Sequence, residues 1–186
     1  MKVYFTGSVH NKGVDLETYK KIVSVLENNG HQVQAGHILS VPLYEIEDKS
    51  KILRKKYHKK LTKWIAGADV IICEVSYPST INIGHEITLA LDKGKPILAL
   101  HKPGREATTL LGIDSEKFTL LEYTEETLAD VLSDWLEEVE GVLNTRFTMI
   151  LEPRIKKYLD KITKTGLSRS EYIRNLILQD MEKNRK

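Results

Sequence analysis

Asp69-Val70-Ile71-Ile72-Cys73-Glu74-Val75, followed further on by Lys95-Pro96-Ile97-Leu98-Ala99-Leu100, decides the fold. Val70-Ile71-Ile72 and Ile97-Leu98-Ala99-Leu100 are nearly continuous apolar runs, and strands of that kind belong to parallel sheets covered by helices on both faces. Working outward, a helical stretch near 84–93 joins these two strands. Lys2 to Thr6 reads as an earlier strand, His31 to His37 as a second and Phe118 to Tyr123 as a last one. Leu16, Tyr19, Ile22, Val23 and Leu26 recur at helical spacing behind Asp15, which is expected to cap that helix, and Gly30 ends it. Further helices are expected near 43–66, 105–112 and 124–140. The class is a Rossmann-like, flavodoxin-like α/β domain: a parallel five-stranded sheet in the order 2-1-3-4-5. Ligands of such sheets sit beyond the carboxyl ends of the strands at the switch point, here between strands one and three. The loops Gly7 to Gly13 and Ser76 to Glu86 therefore carry the function.

Composition sets outer bounds. The chain has 186 residues, 41% of them hydrophobic and 29% charged, with a formal net charge of +2, so no obligate polyanionic partner is implied. Lys49, Lys51, Arg54, Lys55, Lys56, Lys59, Lys60 and Lys63 form a basic run, and Glu122, Glu125, Glu126, Asp130, Asp134, Glu137, Glu138 and Glu140 an acidic one. Both read as solvated helix faces. No apolar stretch approaches the roughly 20 residues of a membrane span and no signal segment opens the chain, so a cytoplasmic protein without membrane association is expected. Cys73, the single cysteine, is expected buried and inert. The six histidines show no metal-ligand spacing, so neither metal nor cofactor is expected.

The pattern changes at Gly141. Thr145 to Leu151 alternates like a strand, with Phe147, Met149 and Leu151 on one face and Arg146, Thr148 and Ile150 on the other. Pro153 opens a helix with Ile155, Tyr158, Leu159 and Ile162, closed by Gly166, and Ser168-Arg169-Ser170-Glu171 has capping-box spacing before a helix that turns Ile173, Leu176, Ile177 and Met181 inward. The expected organisation is thus a domain over 1–141 and a module over 145–186. So small a unit cannot bury its apolar face alone. The module resembles the ribbon-helix-helix fold, and the resemblance implies a homodimer or higher assembly through residues 145–186. DNA binding through Arg146, Thr148 and Ile150 is the less favoured use, because isoleucine is a poor reader of bases.

Three segments carry a second resemblance: Tyr4-Phe5-Thr6-Gly7-Ser8, Ala68 through Ser79, and Gly84-His85-Glu86-Ile87-Thr88-Leu89-Ala90. With His37, His58 and Trp64 they make the first part of the chain similar to the nucleoside 2-deoxyribosyltransferase family, and most similar to its 2′-deoxynucleoside 5′-phosphate N-hydrolase branch. Cleaving an N-glycosidic bond builds positive charge at the anomeric carbon, which a carboxylate can attack or stabilise. Glu86 is that carboxylate, read here at a helix start just after Gly84, where free N–H groups favour an anion. The resemblance implies that Glu86 is the nucleophile and that the Tyr4 hydroxyl orients it. Gly7, Ser8, His37, Ser79 and Gly84 are expected to contact substrate. The two serines suit a phosphate. His10 stands where the relatives carry an arginine.

One departure stands out. The family's second acid, on the helix before strand three, is replaced by Leu61, and no Asp or Glu occurs between Lys49 and Ala68. The loop from Ser79 to Glu86 is also longer, with Ile81-Asn82-Ile83 inserted, and Thr108 and Thr109 fall near a serine that the relatives send into a neighbouring subunit. The expected activity is N-glycosidic hydrolysis, or deoxyribosyl transfer, on a (deoxy)nucleoside 5′-monophosphate. The competing reading is a weak or inactive nucleotide-sensing domain coupled to a DNA-binding ribbon-helix-helix regulator.

Overall fold

The computed structural model describes residues 1–8, 12–40, 50–142, 150–163 and 169–184. The chain divides into two compact units, Met1–Leu143 and Asn144–Lys186. In the first unit the order is β1 (Lys2–Gly7), α1 (Lys12–Asn28), β2 (Gln32–Gln34), a helical turn α2 (Gly36–Leu39), α3 (Lys51–Gly67), β3 (Val70–Glu74), α4 (Ile81–Asp92), β4 (Ile97–His101), a short 3-10 turn (Thr108–Gly112), β5 (Phe118–Glu122) and α5 (Leu128–Val142). All strand pairs are parallel and the sheet order is β2-β1-β3-β4-β5, as expected.

Strand alternation sorts the core into two layers. Val3, Phe5, Val70, Ile72, Leu98 and Leu100 face one side, where Tyr19, Ile22 and Leu26 of α1 and Leu132, Trp135 and Leu136 of α5 cover them. Tyr4, Ile71, Cys73, Ile97 and Ala99 face the other, against Leu61 and Ile65 of α3 and Ile83, Ile87 and Ala90 of α4. The register pairs Tyr4 with Ile71, Thr6 with Cys73 and Gly7 with Glu74. Parity therefore aims Tyr4 and Thr6 toward α3 and α4, and sends Glu74 to the opposite face.

Several boundaries differ from the sequence reading. β2 stops at Gln34 and His37 sits in the helical turn α2, because the edge strand needs only three residues to pair with β1. The helix expected over 43–66 is described from Lys51; 41–49 lie outside the described residues. Asp15 does not cap α1: the helix begins at Lys12 and Asp15 lies within its first turn, fully buried. Its Oδ1 accepts hydrogen bonds from Lys102 Nζ at 2.8 Å and Arg105 at 3.1 Å, and its Oδ2 from Arg105 at 3.0 Å. Burial would raise this carboxyl's pKa, but the hydrogen bonds from Arg105 and Lys102 outweigh it and hold the group below its usual range. Glycine is required at Gly7, where a Cβ would stand 2.7 Å from the Tyr19 ring.

In the second unit α6 spans Pro153–Ile162 and α7 Arg169–Lys183. Leu159 is buried, and Tyr158 and Tyr172 hydroxyls meet at 3.2 Å. Leu176, Ile177 and Met181, expected inward, are 47%, 55% and 54% exposed, because two helices cannot cover both apolar faces. Arg146 and Thr148 of the expected strand, and Ser168 of the expected capping box, lie outside the described residues. Among the described residues no helix is long and apolar enough to cross a membrane.

Candidate active site

The carboxyl end of β1, the turn α2 and the facing sides of α3 and α4 enclose a cavity of about 900 Å³. That is ample for a nucleotide-sized ligand. Glu86 lies at its wall, only 6% exposed. Tyr4 OH donates to Glu86 Oε2 at 3.0 Å and the Thr6 hydroxyl donates to the same carboxylate. His37 Nε2 lies 3.0 Å from Tyr4 OH, and its ring stacks on Tyr4 at 5.0 Å with 7° between planes, and on Trp64 at 5.5 Å. Tyr4 has one proton, which goes to the carboxylate, so His37 must donate its Nε2–H to the tyrosine oxygen. Three buried groups thus form one directed chain ending on Glu86.

Burial pushes the Glu86 pKa up to about 7, against the hydrogen bonds from Thr6 and Tyr4 that pull it down. The direction is opposite to the one expected, since free N–H groups at a helix start would favour the anion. Gly84 is the fourth residue of α4 and Glu86 the sixth, so the free N–H groups of the helix start, behind Thr80, do not reach the carboxylate. Burial lowers the His37 pKa to about 4, leaving it neutral near pH 7. Burial and the charge of Glu86 raise the Tyr4 pKa, so the phenol stays a donor.

Of the residues singled out from sequence, Tyr4, His37 and Glu86 come together directly, and Gly7 lines the same cavity. Ser8 follows Gly7 and is buried. Its carbonyl accepts the Tyr19 hydroxyl at 3.1 Å, while its Oγ has no hydrogen-bond partner among the described residues. Ser79 and Gly84 are half-buried but do not line the cavity; Thr80 and Asn82, one residue after Ser79 and two before Gly84, do. His10 lies outside the described residues. Thr108 and Thr109 are exposed in the 3-10 turn.

The basic run is not simply a solvated face. Lys51, Arg54, Lys55, Lys56 and Lys59 line the cavity although each carries water-facing surface. The spacing held the clue: 51, 54, 58, 61 and 65 share one side of a helix, and Leu61 and Ile65 are buried. Thr6 was equally readable, since it shares strand parity with Tyr4. Leu61 is buried at the cavity wall where the resemblance expects an acid. Glu74, another buried carboxylate, does not replace it: it accepts from Ser76 and Tyr123 hydroxyls on the other sheet face. His101, Glu106 and Glu122, brought together from β4, β5 and the loop between them, are the one group among the described residues close enough to share a metal ion. Both of its acids are exposed, an arrangement common without any ion.

A doubly wound parallel sheet with a buried carboxylate beside its switch point places the chain in the Rossmann-like class, whose ligand pockets lie at that point. No family model matches the chain. Individual relatives do. The 5-hydroxymethyl-dUMP N-hydrolase of Mus musculus is 31% identical over 139 residues, covering 73% of this chain and 79% of the relative. That of Esox lucius is 32% identical over 152 residues, covering 79% and 96%. The putative 2′-deoxynucleoside 5′-phosphate N-hydrolase 1 of Methanococcoides burtonii is 31% identical over 112 residues, covering 60% and 88%. Among solved structures, the Clostridium botulinum CMP N-glycosidase BcmB shares the fold, with a TM-score of 0.51 at 16% identity over 72% of this chain and 99% of its own. The chain belongs to the 2′-deoxynucleoside 5′-phosphate N-hydrolase family.

Proposed function

We propose that this protein hydrolyses the N-glycosidic bond of a (deoxy)nucleoside 5′-monophosphate with Glu86 as nucleophile. The observation that carries the reading is the Glu86 carboxylate, buried at the cavity wall and held by the Tyr4 and Thr6 hydroxyls. The carboxylate oxygen bonds to the anomeric carbon while the electron pair of the carbon–nitrogen bond leaves with the base. Water then displaces the carboxylate and frees the sugar phosphate. Tyr4 fixes the attacking oxygen, and His37 fixes Tyr4. The Ser8 Oγ, buried beside Gly7 without a partner among the described residues, serves the phosphate. The cations of α3 attract a dianionic substrate.

The test is a panel of nucleoside 5′-monophosphates incubated with purified protein while free base is measured. Release by the parent and its loss in Glu86→Ala support the reading. Base release undiminished in Glu86→Ala overturns it, and nucleotide binding without any release would favour a sensing role. Tyr4→Phe removes one hydrogen bond that lowers the Glu86 pKa and orients the oxygen. Its kcat is expected to fall about 10- to 100-fold, the worth of a charge-assisted hydrogen bond, with the acid limb of the pH–rate profile moved upward.

We also propose that residues 145–186 pair with a second copy in ribbon-helix-helix fashion. The half-exposed Leu176, Ile177 and Met181 of α7 support this, as does Ile155, 43% exposed on α6. Leu176→Asp with Ile177→Asp is expected to convert a dimer to a monomer by light scattering; an unchanged mass would refute the pairing.

A further inference from the structure

Departure of a nucleobase as an anion is difficult, and enzymes that break N-glycosidic bonds protonate the base as it leaves. In this cavity the acid expected for that task is Leu61, and Glu86 is occupied at the sugar. Beside His37, which is already committed to Tyr4, the histidines that line the same space are His58 and His85, and imidazole is the side chain most often used as a general acid or base.

The two histidines are neighbours across the helix pair. His58 Nε2 lies 3.3 Å from His85 Nε2, and the rings stack at 5.6 Å with 29° between their planes. A contact of that length requires a hydrogen on one nitrogen and a lone pair on the other, so one proton lies between the rings. His58 stands one helical turn before Leu61 on α3, and His85 directly precedes Glu86 on α4. The proton is therefore held between the helix that lost the acid and the helix that carries the nucleophile.

We propose that His58 and His85 together act as the general acid of this hydrolase, contacting the departing base. The inference rests on Glu86 being the nucleophile. In the first half-reaction the pair, carrying one proton more than two neutral imidazoles, gives that extra proton to the base nitrogen and returns to its neutral form as the carbon–nitrogen pair of electrons leaves and the Glu86 oxygen bonds to the anomeric carbon. In the second, water attacks that carbon, the Glu86 oxygen departs as carboxylate, and the imidazole pair takes the water's proton. Nucleotide and water enter; base and deoxyribose 5-phosphate leave; no other reactant is needed.

A leaving-group comparison on the full chain tests it. The two substrates are the nucleoside monophosphate cleaved best in the panel and the p-nitrophenyl glycoside of deoxyribose 5-phosphate, whose phenolate leaves without protonation. His58→Gln and His85→Gln, which keep hydrogen-bonding capacity but not acidity, should each slow kcat on the nucleotide by about 10²-fold. The double variant should be no slower than either single, since the two act as a unit. On the p-nitrophenyl substrate the loss in kcat/KM, which reports the first half-reaction without the water step that both substrates share, should stay within about threefold, and added imidazole should restore part of the nucleotide rate. Equal losses on both substrates, or full nucleotide turnover in both variants, overturn the proposal. Failure of the nucleophile assignment would look different: Glu86→Ala would then cleave both substrates at the parent rate, whatever the histidine variants do.

Discussion

Glu86→Gln is expected to slow base release by about 10³-fold or more, because the substitution removes the attacking oxygen's charge while keeping its shape. Gln can still accept from Tyr4 and Thr6, so the cavity should persist and KM should change little. The parent's pH profile supplies an independent check. Attack requires the ionised carboxylate, and burial places its pKa at about 7, so the acid limb of kcat/KM should rise as pH climbs through about 7. Stability runs the other way. An unfolded glutamate titrates near 4.3, so between that value and about 7 the folded state binds the extra proton and stability falls as pH rises. Above the folded value the buried charge costs on the order of 3 kcal/mol. Glu86→Gln should therefore melt higher than the parent at pH 8 and differ little at pH 4.5, by thermal denaturation at both pH values. A variant that is inactive and unstable at both would point to a misfolded cavity instead. A parent profile flat from pH 5 to 9 would remove Glu86 as the titrating nucleophile.

The sheet was legible because its strands are fully covered: Val70-Ile71-Ile72 and Ile97-Leu98-Ala99-Leu100 leave no alternative to a layer on each side, and parallel connections then fix the order. Tyr4 and Glu86 were legible through segments that resemble a known family, although 82 positions separate them in the chain. The start of α4 was not. Ile81-Asn82-Ile83 includes two β-branched residues, and the Thr80 side chain makes no capping hydrogen bond, so nothing local announces a helix beginning before Gly84. The basic run failed as a guide for a different reason. Charge tells that a face meets water, but not that the water fills a cavity walled by α4 across the way. His85 gave no local signal at all, because its partner His58 belongs to another helix.

Asp15 shows the same limit from the side of stability, and its replacement should have the largest structural effect. It reads as a helix cap, yet its partners Lys102 and Arg105 lie 87 and 90 positions away. The carboxylate is fully buried, whereas each cation is 27% exposed and can recover some hydration when released. Asp15→Ala should therefore cost about 2–4 kcal/mol, below the limit for a fully buried pair, and lower Tm by roughly 5–15 °C. Because the folded pKa is depressed, this stabilisation is complete above the unfolded value near 3.9 and disappears as pH falls through the folded one. The parent and Asp15→Ala should thus converge in Tm toward the acid extreme and differ most near neutrality. Function should feel the loss as well. Arg105 also donates to the Tyr77 carbonyl at 2.7 Å and accepts from the Tyr77 N–H, so Asp15 anchors the segment that leads from β3 through Ser79 to α4. With that anchor gone, the phosphate side of the cavity should loosen while Tyr4 and Glu86, held from β1 and α4, keep their contact. The expected kinetic signature is a raised KM with kcat nearly preserved, the reverse of the Glu86→Gln pattern, and a Tm unchanged at pH 7 would show that Asp15 contributes nothing beyond its place in the helix.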